Sequence, residues 1–329
     1  MPASPMPDCL QEYSSYHQWL TSLEDYQGQV ASYSFFPPRA GGEKLAYAGR
    51  YAGVLEELGI TPYAHQAEAM CAVEAGQNVV MATPTASGKS LAYQVPTLAA
   101  LREGQGALYL FPTKALAHDQ LDKLRALAAP FGLEGQVASY DGDTPAGRRQ
   151  GVREAAGCLL TNPDMLHYGI LPHHRLWARF LGSLELVVLD ELHSYRGVMG
   201  THVANILRRL LRLAEHYGAS PRIVAASATI GNPAQHARNL TGREFVAVTQ
   251  DEVPKAAREF IFWQPPELVS GPDGDVRRRS PNTEAADLAA LFVKRGLKSI
   301  FFCNSRKAAE LLKRYALGHL SEDEQDLLQ

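Results

Sequence analysis

Between Tyr47 and Val248, short apolar runs rich in β-formers alternate with longer runs of helical periodicity, and this alternation leaves few folds open. The predicted strands are Asn78–Ala82, Ala107–Phe111, Cys158–Thr161, Leu186–Asp190 and Arg222–Ser227. Strands that are apolar nearly throughout are buried on both faces, and the helices between them supply the crossovers that parallel pairing requires. The expected fold class is therefore α/β, a parallel sheet sandwiched by helices. In such sheets ligands sit beyond the carboxyl ends of the strands, so the polar strand tails Thr83, Pro112-Thr113, Thr161-Asn162, Asp190-Glu191 and Ser227 are expected along one edge.

Two of those tails carry phosphate chemistry. Ala82-Thr83-Pro84-Thr85-Ala86-Ser87-Gly88-Lys89-Ser90 lies between a strand and a helix, where backbone amides and a helix N-terminus cradle phosphates. Thr85, Ala86, Ser87 and Gly88 would form the cradle, Lys89 would reach the β- and γ-phosphates of ATP, and Ser90 would hold Mg2+. The pattern departs from a Walker A loop in having Thr83 at the first glycine position and Ala86 in the turn. Downstream, the strand ending in Asp190-Glu191-Leu192-His193 offers Asp190 as a second metal ligand and Glu191 as the base that activates water.

Bulk composition does not choose the second substrate. The formal charge of -3 means that any surface for nucleic acid must be a local patch. Cys9, Cys71, Cys158 and Cys303 form no CxxC pair, which argues against a zinc site or a disulfide framework and favours a reducing, cytoplasmic setting. No apolar run approaches the roughly 20 residues that span a bilayer.

Four segments are expected. Residues 1–45 form an aromatic-rich accessory arm, read as one or two helices and a turn closing on Pro37-Pro38, and residues 46–250 form the nucleotide-binding domain. Residues 251–285 read as a linker, with a loop at Gly271-Pro272-Asp273-Gly274-Asp275 followed by Arg277-Arg278-Arg279. Residues 286–329 begin a second domain, with a strand at Ser299–Cys303 and a helix from Lys307 to about Leu317.

The series of motifs resembles the superfamily 2 helicases of the DExH type, whose fold is a RecA-like P-loop domain followed by a second RecA-like lobe. Thr61-Pro62-Tyr63-Ala64-His65-Gln66 resembles the segment in which a glutamine reads adenine, so Gln66 is the candidate, with Tyr63 beside it. A glutamine amide carries the donor and the acceptor that adenine's edge requires. Phe111-Pro112-Thr113-Lys114-Ala115-Leu116 and Thr161-Asn162-Pro163-Asp164-Met165-Leu166 resemble the motifs that hold the backbone of a single strand, which assigns Thr113, Lys114, Thr161 and Asn162 to nucleic acid. Tyr140-Asp141-Gly142-Asp143-Thr144 with Arg148-Arg149 either extends that track or is a solvated loop. Ser227-Ala228-Thr229 resembles the motif that couples the two sites, with His193 as its partner, and Phe302-Cys303-Asn304-Ser305-Arg306 resembles a second-lobe motif that adds Asn304, Ser305 and Arg306 to the nucleic-acid set.

Longer strings narrow the resemblance. Leu160–His167, Ile170-Leu171-Pro172-His173-His174 and Asp190–Gly197 are similar to the mitomycin repair factor A type of bacterial DNA helicase and its fungal Hrq-type relatives. That resemblance implies single-stranded or tailed DNA as partner, 3′-to-5′ translocation, and a role in DNA repair. An RNA helicase, a non-catalytic module binding ATP or single-stranded DNA, and a P-loop ATPase unrelated to nucleic acid remain the alternatives. The helix bearing Arg208, Arg209 and Arg212 either touches DNA or is an exposed face. The family also supplies arginines from a complete second lobe and a distal four-cysteine cluster. Neither is found in these residues, so the chain is expected to be a helicase fragment that binds nucleotide and turns it over poorly.

Overall fold

The computed structural model describes residues 7–270 and 275–327, and the chain divides into two compact units, one of residues 41–253 and one that joins residues up to 40 with those from 254 onward. Strands among the described residues are β1 (Val30–Phe36), β2 (Val79–Ala82), β3 (Gly106–Leu110), β4 (Val137–Ser139), β5 (Cys158–Thr161), β6 (Leu184–Leu189), β7 (Arg222–Ser227), β8 (Val246–Val248), β9 (Arg258–Trp263), β10 (Glu267–Ser270) and β11 (Asp275–Arg278).

In the first unit β2 to β8 form one sheet, parallel throughout, in the order β4-β5-β3-β6-β7-β2-β8. Alternate residues of each strand enter opposite cores, as the pleat dictates. Leu186 and Val188 pack with Tyr93, Leu98 and Leu124 of helices Leu91–Arg102 and Lys114–Ala128. Val187 and Leu189 pack with Trp177, Phe180, Leu207 and Leu210 on the other face, where helix Gly197–His216 lies. All five predicted strands are present; β4 and β8, each three residues long, occupy the two edges of the sheet and escape a reading based on apolar runs. At the amino end of the sheet Arg50 binds Glu185 and Glu103, and Arg222 also reaches Glu185. Burial pushes the Glu185 carboxyl up, but the hydrogen bond and charge of Arg50, with Arg222, hold it below its ordinary range. The opposite, carboxyl edge is left for ligands.

The second unit departs from the sequence reading. The arm is not helical throughout: among its described residues only Tyr16–Thr21 forms an α-helix, and β1 pairs antiparallel with β9. The Val-Ala-Ser-Tyr-Ser-Phe-Phe run suits a strand, but its partner lies far along the chain, so no hairpin signal marks it. Trp19 of that helix stacks near Phe292 of helix Pro281–Lys294 at 5.7 Å between ring centroids. Residues 251–285, expected as a linker, contain β9, β10, β11 and the start of that helix; the predicted loop at 271–274 lies outside the described residues. The strand expected at Ser299–Cys303 forms no ladder with any described segment, whereas the helix after it is present as Arg306–Leu317. A strand exists only through its neighbour, and local sequence does not reveal whether a neighbour is supplied. No helix among the described residues is long and apolar enough to cross a membrane.

Candidate nucleotide and nucleic-acid site

The loop after β2 turns through two left-handed residues, Ala86 at φ 63° and Gly88 at φ 70°. Gly88 is required twice over, since a Cβ there would stand 2.5 Å from Gln66 Nε2. The Thr83 and Ser87 hydroxyls lie 2.6 Å apart, and both side chains are buried. Buried His65 holds the same loop: Nδ1 accepts the Glu252 N–H at 3.3 Å, so Nε2 carries the proton and donates to the Ser87 carbonyl at 3.0 Å. Gln66 donates from Nε2 to the Gly88 carbonyl at 3.0 Å and accepts the Tyr63 N–H on Oε1 at 2.9 Å, closing a capping box at the start of helix Ala64–Glu74. One donor and one acceptor site of its amide are left over.

Ala86 has no such necessity. A left-handed alanine costs about 1–2 kcal/mol, and it is exposed. Ala86→Gly is expected to raise the melting temperature by about 2–4 °C, read by calorimetry.

Across the edge, the loop and the end of β6 converge. Lys89 Nζ donates to the Thr83 and Pro84 carbonyls at 2.8 and 2.9 Å. Burial pulls its ammonium below the ordinary lysine range, opposed by the charges of Glu191, Asp190 and Asp251. The Tyr93 hydroxyl stands 3.2 Å from Ser90 Oγ and 3.2 Å from Asp190 Oδ2, tying the loop to the strand. Burial, and to a smaller extent the Glu191 charge, pushes the Asp190 carboxyl up, against the Glu191 N–H that Oδ1 accepts at 2.9 Å. Glu191 itself is left-handed, φ 49° and ψ 45°, and its carboxylate lies 3.3 Å from His193 Nδ1. The same nitrogen is 3.4 Å from Ser227 Oγ and from the Ala228 N–H. The amide asks it to accept and the carboxylate asks it to donate, so its proton decides which partner is held. His236 Nε2 reaches the Leu192 carbonyl at 3.1 Å and steadies the turn from the helix Pro233–Thr241.

Lys89, Ser90, Asp190, Glu191, His193 and Ser227 thus lie at one edge of the sheet, and Thr229 is exposed just beyond it. Tyr93, His65 and His236 carry no mark in the motif pattern. Tyr93 was within reach of a spacing argument, because it lies three residues after Ser90 along the helix.

The strand-binding residues divide. Thr113 caps helix Lys114–Ala128 by accepting the Leu116 N–H at 3.4 Å, and Lys114 pairs with Asp143 at 2.9 Å. Asn162 caps the next turn by accepting the Met165 N–H at 2.8 Å. Thr161 is placed differently from the expectation: its side chain is buried and its hydroxyl donates to the Tyr140 carbonyl at 2.6 Å, which fixes the strand end and leaves that hydroxyl away from solvent. Asp141 is likewise buried, with His118 at 2.9 Å and its own Asp143 N–H turn at 2.8 Å, so the 140–144 segment is a built turn. Asn304, Ser305 and Arg306 belong to the other compact unit, where Ser305 caps helix Arg306–Leu317.

Residues 63–237 match the model of the DEAD/DEAH box helicase family. The chain is 42% identical over 276 residues to the ATP-dependent helicase YprA of Bacillus subtilis, covering 83% of this chain and 36% of that protein. It is 39% identical over 273 residues to the ATP-dependent helicase hrq1 of Schizosaccharomyces pombe, covering 81% of this chain and 26% of that protein. Among solved structures, the DUF1998 helicase MrfA bound to DNA superposes with a TM-score of 0.83 at 37% identity, over 94% of this chain and 42% of that one. A second structure of MrfA, bound to DNA and AMPPNP, gives a TM-score of 0.80 over 92% of this chain. The chain thus spans between 26% and 42% of the length of these relatives.

Proposed function

We propose, from the premise that this chain belongs to the DEAD/DEAH box helicase family, that residues 41–253 are the nucleotide-binding lobe of an ATP-dependent 3′-to-5′ DNA helicase acting in DNA repair. The observation that carries this reading is the meeting of Ser90 and Asp190 at the Tyr93 hydroxyl, with Lys89 and Glu191 at the same sheet edge. Phosphate chemistry needs a cation, a hard metal site and a base together, and few other arrangements assemble all of them.

The Ser90 hydroxyl and the Asp190 carboxylate are hard oxygen donors suited to Mg2+. Among the described residues no group of three or more His, Cys, Asp or Glu could hold a metal, so an ion here would complete its shell from phosphates and water. Ser90 and Asp190 would hold Mg2+ where it would neutralise charge on the phosphates. Lys89 leaves its loop carbonyls for the phosphates, with Thr85 to Gly88 supplying backbone amides. Glu191 orients and deprotonates the attacking water, and the spare amide sites of Gln66, beside Tyr63, face adenine's two requirements. His193, Ser227 and Thr229 transmit the state of Glu191 toward the strand, which Thr113, Lys114 and Asn162 hold by its backbone. DNA as the strand is supported by the DNA-bound state of the MrfA structures. The proposed setting is the cytoplasm.

The test is unwinding by the full-length protein of duplexes with 3′ or 5′ single-stranded tails, in DNA and in RNA. ATP-dependent opening of 3′-tailed DNA is expected. Equal opening of RNA duplexes overturns the substrate, a 5′-tail preference overturns the polarity, and ATP turnover indifferent to any strand overturns the motor.

A further inference from the structure

The His173-His174 string and the three arginines of the long helix have no place in the nucleotide site, yet the fold draws part of both sets together. After the Asn162 cap, the chain runs through a π-turn, Leu166–Ile170, and a 3-10 stretch, Leu171–Trp177. Single π-turns concentrate at functional positions because they shift side chains out of helical register. Here the shift sets His167 against the helix Gly197–His216, where its Nδ1 accepts a hydrogen bond from Arg209 Nη1 at 2.7 Å. Arginine keeps its protons, so this His167 is neutral and presents Nε2–H as a further donor.

Arg209, Arg212 and His216 follow one helical face, and with His174 they line an open groove of about 420 Å³ floored by Leu171 and Leu213. No carboxylate lines it, and neither Arg209 nor Arg212 enters an ion pair among the described residues. His174 is oriented by the Tyr217 hydroxyl at 2.7 Å. His167, which Arg209 holds, has its ring centroid 4.5 Å from that of Tyr168, a side chain that is 72% exposed. Guanidinium groups without acidic partners beside a neutral donor histidine and a bare aromatic ring form the pair of surfaces that a single strand requires: donors for phosphate and a plane for a base. A free anion would use the first and leave the ring idle.

We propose that this groove is a second nucleic-acid contact, in which Arg209 and Arg212 each take a backbone phosphate of a single strand and Tyr168 stacks on a base. It rests on the reading of the protein as a nucleic-acid motor, and it extends the strand path from Asn162 through the π-turn to the far end of the long helix.

The test measures binding of a fluorescent single-stranded DNA oligonucleotide to the full-length protein by anisotropy across a salt series, for the parent protein, Arg209→Gln/Arg212→Gln and Tyr168→Ala. The double variant is expected to bind at least about tenfold more weakly and to flatten the salt slope by roughly 1.4, the single-strand value for two lost contacts. Tyr168→Ala is expected to weaken binding by about 5- to 100-fold with the slope unchanged. Arg209→Lys/Arg212→Lys restores the slope. Parent-like affinity and slope in both variants overturn the groove, as does a loss confined to inorganic phosphate, measured as competitor at constant ionic strength, with oligonucleotide binding intact. A parent protein that binds no oligonucleotide overturns the motor reading instead. Parent-like thermal melting of each variant separates lost contacts from lost structure.

Discussion

Glu191→Gln is expected to lower strand-stimulated ATP turnover of the full-length protein by about 10²–10⁴-fold, the usual contribution of a positioned base, while the Kd for ATP changes less than about threefold. The expectation rests on where the side chain sits. In the proposed reading Asp190, Ser90 and Lys89 meet the phosphates, whereas Glu191 stands one residue farther along, 3.3 Å from His193 Nδ1 and in the left-handed region. An amide keeps the size of the carboxylate and its ability to orient water but cannot take a proton. Glu191→Gly separates the carboxylate from the backbone: it removes the same base, yet relieves about 1–2 kcal/mol of left-handed strain. It should therefore melt higher than the parent and be as slow as Glu191→Gln. Single-turnover hydrolysis and calorimetry on the two variants check this. Turnover near the parent rate in Glu191→Gln would assign the base elsewhere, and a Glu191→Gly protein that melts lower would show that the turn is held by the side chain.

This residue also shows how far the sequence could be read. The five buried strands and the polar tails at their carboxyl ends follow from apolar runs and a rule about sheet edges, and with them came Lys89, Ser90, Asp190 and Glu191. The left-handed turn at Glu191 did not, because residue types do not report φ where a non-glycine occupies the position. Resemblance to a strand-binding motif assigns Thr161 to nucleic acid, but one residue decides which way a strand side chain points, and this one turns inward to Tyr140. Pairings that join distant parts of the chain were closed to local reading altogether. Partners that share a strand pair, such as Phe36 and Arg258, carry no mark of each other in composition or period. His65 is a similar case, since its role appears only when Ser87 and Glu252 are brought to opposite nitrogens of its ring.

Asp190→Asn is expected to change stability and activity in opposite directions. Burial raises the folded-state pKa of Asp190 above its unfolded value, so the folded protein binds that proton more tightly than the unfolded chain does. Below the unfolded pKa both states hold the proton and the carboxyl costs nothing. As pH rises through the window between the unfolded and the folded values, the unfolded chain ionises first, and above that window the buried charge opposes folding in full. Asparagine removes the charge but keeps the contacts: its carbonyl accepts the Glu191 N–H, and its amide can donate to the Tyr93 hydroxyl that Asp190 Oδ2 accepts from now. At pH 7 the variant should thus be more stable by roughly 1 kcal/mol, the scale on which relieved functional sites gain stability. The advantage should shrink as pH falls toward the carboxylate range, and urea unfolding of both proteins from pH 7 down to 4 reads it directly. Mg2+-dependent ATP turnover should fall by at least about 10³-fold, because the hard anionic ligand opposite Ser90 is gone. A variant less stable at pH 7 would mean that the Asp190 charge is satisfied within the fold. A gap that stays constant with pH would mean that the gain comes from packing rather than from charge, and only the predicted closing gap identifies Asp190 as a carboxylate held under burial until a cation meets it.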